Sequence, residues 1–128
     1  MAEIALVGPD VGGARALMSL LEADGLTIKA AVFVLSPEGS NWRLWLEFAE
    51  PFTDKREAYR RIASIVAAHQ HEIGGIDTSD IDLVASNNKA LDALGRMMRV
   101  GAGGQVQLSN SMFNGVFLPE AIILKMDR

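Results

Sequence analysis

The chain has no cysteine, only two histidines, and no uninterrupted apolar run longer than Ala30–Leu35. Without cysteine there are no disulfides, thiolate zinc sites or cysteine nucleophiles. An apolar run that short cannot span a bilayer, which takes about 20 residues as a helix. An excess of positive charge is also missing. Twelve Lys and Arg stand against sixteen Asp and Glu, a formal net charge of −4, and the basic surface that releases counterions from nucleic acid is not expected. The N-terminus reads Met1-Ala2-Glu3 with its first positive side chain at Arg15, so it lacks the basic start of a signal peptide. The expectation is a cytoplasmic protein with neither membrane nor nucleic acid as its partner.

Against these absences stands enough material for a core. Of 128 residues, 49% are hydrophobic and 22% charged. That suits one domain over residues 1–128 and excludes disorder of the whole chain.

Periodicity sets the elements. Ala14, Leu17, Met18 and Leu21 recur at helical spacing, with Leu20 widening the stripe and Gly25 as a left-handed stop. Ile4–Val7 fits a short strand or a helical turn. Residues 27–36 and 42–49 read as strands joined through Pro37-Glu38-Gly39-Ser40-Asn41, a hairpin connection. In the second strand Trp42, Leu44, Leu46 and Phe48 share one face, and Arg43, Trp45 and Glu47 the other. Asp54 or Thr53 caps a helix reaching about residue 71, with the stripe Ala58, Tyr59, Ile62, Ile65, Val66 and His69 and a favourable Glu57–Arg61 pair. Ile81–Ala85 is a short strand. Ser86 or Asn87 caps a third helix whose core face is Leu91, Leu94 and Met98, and Gly101 to Gly104 follows as a loose connection.

Asn114-Gly115 is the strongest two-residue hairpin signal, because a type I′ turn needs positive φ at both positions. It pairs Phe113 with Val116, Met112 with Phe117, Leu108 with Ala121 and Val106 with Ile123. Strict alternation then gives a core face of Val106, Leu108, Met112, Phe117, Ala121 and Ile123. The opposite face sets Gln105, Gln107, Ser109 and Ser111 against Leu118, Glu120, Ile122 and Leu124. Pro119 has no N–H and belongs at an edge or a bulge. The order α-β-β-α-β-α-β-β predicts an α+β fold, a mostly antiparallel sheet of about five strands with about three helices packed on it.

Candidate chemistry is sparse. Gly8-Pro9-Asp10-Val11-Gly12-Gly13 opens a helix, but it is neither GxGxxG nor a P-loop, and Asp10 would repel a phosphate. His69 and His71, two apart on a helix, diverge and cannot easily share a metal. Asp77, Asp80 and Asp82, with Asp92 and Glu47 elsewhere, offer oxygen ligands without the pattern of a calcium loop. Ser109 and Ser111 lie in no nucleophile motif. Arg56, Arg60, Arg61, Arg96 and Arg99 read as solvated helix faces.

No catalytic or metal residue is therefore assigned, and no cofactor. The expectation is a small interaction or regulatory module, self-associating as a homodimer or binding a protein partner. Leu118, Ile122 and Leu124 are its candidate contact residues, beside Trp45, unless a helix of the chain itself covers them. The alternatives are a metal-dependent hydrolase or nucleotide-acting enzyme built on the acidic residues, and a small-molecule binder beside Trp45.

Overall fold

The computed structural model describes residues 9–36, 41–50, 54–85, 87–101 and 103–128. Ile4–Val7, the turn residues 37–40, and the alternative caps Thr53 and Ser86 lie outside the described residues. The elements are α1 (Val11–Ala23), β1 (Ile28–Leu35), β2 (Trp42–Phe48), α2 (Lys55–Ala68), α3 (Gln70–Ile73), β3 (Ile81–Leu83), α4 (Lys89–Met97), β4 (Val106–Phe113) and β5 (Val116–Met126). The strands form one sheet in the order β3-β2-β1-β5-β4. Every neighbouring pair is antiparallel except β2 and β3, which run parallel across the α2 connection. This is the expected α+β class. The sheet is mostly antiparallel, as expected, and the one added helix is the short turn α3, which forms where the α2 stripe stops at His69.

Each face of the sheet carries its own core. On one, Leu17 and Leu21 of α1 and Ile62 of α2 pack on Phe33, Leu44, Leu46, Ile122 and Leu124. On the other, Ala90, Leu91 and Leu94 of α4 pack on Val32, Phe113, Leu118, Ala121 and Ile123. Burying side chains of this size contributes about 1.5–3 kcal/mol apiece, so both layers are needed to hold a sheet that is apolar on both sides.

Local signals mark the element ends. Asp10 accepts from the Gly13 N–H at 2.8 Å and caps α1, and Gly25 ends it at φ +91. Asp54 accepts from the Arg56 N–H and caps α2. The cap of α4 is Asn88, whose Oδ1 accepts from the Leu91 N–H at 3.0 Å, one residue beyond the expected cap. Glu57 pairs with Arg60 rather than Arg61. Arg61 reaches across to Asp24 instead, tying α2 to the end of α1.

The C-terminal hairpin has the expected register and an unexpected twist. Asn114 (φ +50) and Gly115 (φ +83) form the turn, and all four expected cross-strand pairs are present. Yet Met112 and Phe117, expected in the core, are 63% and 43% exposed, while Phe113 and Leu118 are buried. The faces exchange at Asn110, which sits at φ +47 opposite Pro119, the one position where the ladder is interrupted. A left-handed residue facing a residue without an N–H turns both strands over together, leaving pairing intact and inverting alternation beyond it.

Candidate functional site

The contact residues expected from sequence are inside the protein. Leu118 (4% exposed) lies under α4, whereas Ile122 (6%) and Leu124 (0%) lie under α1 and α2. The Asn110–Pro119 inversion places Leu118 and Ile122 on opposite faces, so the three never form one surface. The apolar side chains that needed a cover are covered by the chain's own helices. Trp45 is half-buried on the α4 face of β2, between Val32 and Asp82 in the sheet.

The acidic residues are engaged one by one rather than gathered. Asp82 receives Arg43 through Nε (3.0 Å) and Nη2 (2.6 Å), and Nη1 of Arg43 donates to the Ser79 carbonyl. The Asp82 hydrogen bond raises the Arg43 pKa further above its ordinary value. Asp77 accepts from the Ser79 hydroxyl at 2.6 Å, which lowers its pKa, and its own N–H donates to Asp80. Asp92 pairs with Arg96.

Glu47 is the one buried charged residue among the described residues, at 2% exposure. Nε of Arg128 lies 2.8 Å from its Oε1, off the line of a hydrogen bond, and Nη2 makes the aligned contact to Oε2 at 3.4 Å. The Arg128 stem crosses α4 at Gly95, where a Cβ would lie 3.1 Å from that of Arg128. Gly95 is thus the gap through which the end of β5 reaches back to β2.

The histidines do not converge. His69 closes α2 and pairs with Glu72, and no group of three His, Asp or Glu able to hold a metal ion occurs among the described residues. The glycine-rich start of α1 serves packing. A Cβ on Gly13 would run into the Ile73 carbonyl and stand 2.6 Å from the Asp10 carboxylate, which also leans on Gly74. Asp10 itself takes the helix N–H that an anion would need. Near the second glycine run, Arg15 of α1 donates to the Gly104 carbonyl and holds the approach to β4.

What sequence reasoning missed is the outer half of the hairpin. Met112 and Phe117 are a cross-strand pair, both exposed, on the face opposite Phe113 and Leu118. Neither belongs to the core packed under α1 and α2. The signal was present: no Asp, Glu, Lys or Arg occurs between Arg99 and Glu120, the longest uncharged stretch of the chain. β4, which fills much of it, is the last strand of the sheet.

Comparison with known proteins identifies no relative: no family model, no curated protein and no solved structure matches this chain. No helix among the described residues is long and apolar enough to cross a membrane.

Proposed function

We propose that the chain is a non-catalytic interaction module that self-associates through the outer half of its C-terminal hairpin. The observation that carries this reading is the exposed Met112–Phe117 pair on the uncharged outer half of the hairpin, at the end of the sheet. Two large apolar side chains left side by side in water favour a contact that removes them from it. Freedom from charge lowers the desolvation cost of such a contact. The lack of cysteine agrees with a cytoplasmic setting.

The test is the double variant Met112→Lys/Phe117→Lys. Both side chains are exposed, so its melting temperature should stay within about 1 kcal/mol of the wild type in stability terms. Light scattering should show a dimeric wild type and a monomeric variant. A variant that keeps the wild-type mass at every concentration would remove this reading.

A further inference from the structure

We propose that Asn114 is a modification site: its side-chain amide is converted without an enzyme to a carboxylate, and the conversion releases the hairpin tip from α4. The inference is independent of the self-association reading above. Of the chain's asparagines, Asn114 alone is followed by glycine. Glycine has no Cβ to obstruct the approach of its main-chain nitrogen to the preceding carboxamide. Both turn residues are exposed, and nothing lies within 4 Å of a Cβ position on Gly115, so base and water reach the Gly115 N–H. Once base removes that proton, the nitrogen attacks Cγ of Asn114. A cyclic imide forms as the Cγ–Nδ2 bond breaks, and Nδ2 leaves as ammonia with a proton from solvent. Water then opens the imide at either of its carbonyls, giving aspartate or an isoaspartate whose main chain runs through Cγ. The sum is amide plus water to carboxylate plus ammonium, with no oxidant or cofactor.

The fold supplies the consequence. Nδ2 of Asn114 donates to the Lys89 carbonyl at 2.9 Å, in the first residue of α4 and next to its Asn88 cap. The atom that leaves as ammonia is the donor of that bond. A carboxylate accepts hydrogen bonds and donates none, so either product sets an oxygen against the Lys89 carbonyl and the tip loses its hold on α4. Isoaspartate does more, because it adds a main-chain carbon to a two-residue turn whose geometry fixes the Phe113–Val116 pair. Phe113 is buried against α4, so a shift of that pair reaches the core of this face.

The test is to age the full chain in mildly alkaline buffer, folded and in urea, and to follow each asparagine by peptide mass spectrometry. Asn110 is the internal standard: it too is exposed and at positive φ, +47, but is followed by serine. In the folded chain Asn114 should convert several-fold faster than Asn110. The converted protein, separated by its added negative charge, should melt below the fresh protein. Asn114→Asp, which makes one product directly, should show the smaller part of that loss. An Asn114 that converts in urea but stays intact in the folded chain overturns the proposal. So does converted protein that melts with the fresh.

Discussion

The two edges of the sheet are finished in opposite ways. β3 is three residues long, its Asp82 is bound bidentately by Arg43 of β2, and the Leu83 N–H is taken by the Tyr59 hydroxyl of α2 at 3.0 Å. β4 is eight residues long and uncharged, with only the left-handed Asn110 to interrupt it. Sheets ordinarily protect an edge by shortening it, charging it or covering it. β3 has all three protections in some measure, while β4 has one kink. The difference teaches that β3 is closed off by its own neighbours, whereas among the described residues no strand pairs with the outer side of β4.

The largest effect should come from breaking the closed part of the hairpin. Ile122→Asp would bury an unpaired carboxylate under α1 and α2, costing more than about 4 kcal/mol. Far-UV circular dichroism should show an unfolded or grossly destabilised chain. A folded variant would mean that β5 is as open as the outer half of β4.

Next comes the latch behind the sheet. Arg128→Ala leaves Glu47 charged and buried without its partner, and about 3 kcal/mol should be lost, read from the urea midpoint. Replacing Glu47 and Arg128 together by Leu should cost much less, because the unpaired charge is then gone.

The turn that sets the register of β4 comes third. Asn114→Ala/Gly115→Ala forces two L side chains into positive φ at about 1–2 kcal/mol each. An unchanged melting temperature would show that the turn does not hold the edge strand in place.

The protected edge should prove cheaper to alter. Arg43 and Asp82 are each more than a third exposed, so Arg43→Gln should cost less than about 1 kcal/mol in thermal melts. The smallest effect is at Asp77, whose carboxyl Ser79 holds below its ordinary 3.8. A depressed folded-state pKa adds stability above the unfolded value and loses it as pH falls through the folded one. The melting-temperature gap between wild type and Asp77→Asn should therefore close as pH drops from about 5 toward about 2.

Much of this architecture could be read locally. The α1 stripe of Leu17 and Leu21, the two faces of β2 and the Asn114-Gly115 turn with its pairs each depend on residues near in sequence, and each is present. The candidate site could not be read that way. Alternation carried straight through Asn110 and Pro119 puts Met112 and Phe117 inside and Leu118 on a surface, the reverse of what the fold does. Pro119 announced an irregularity, but not that Asn110 opposite would yield with it and preserve the register.

By itself, the sequence determined the α+β class, the hairpin register and the lack of charge along β4, because these follow from periodicity, turn stereochemistry and composition. Only the tertiary structure decided that β3 joins β2 in parallel, that Arg128 closes on Glu47, and which hairpin side chains face water. Those outcomes depend on which helix comes to rest over which part of the sheet, and burial is set by neighbours distant in the chain rather than by the pattern of the strand itself.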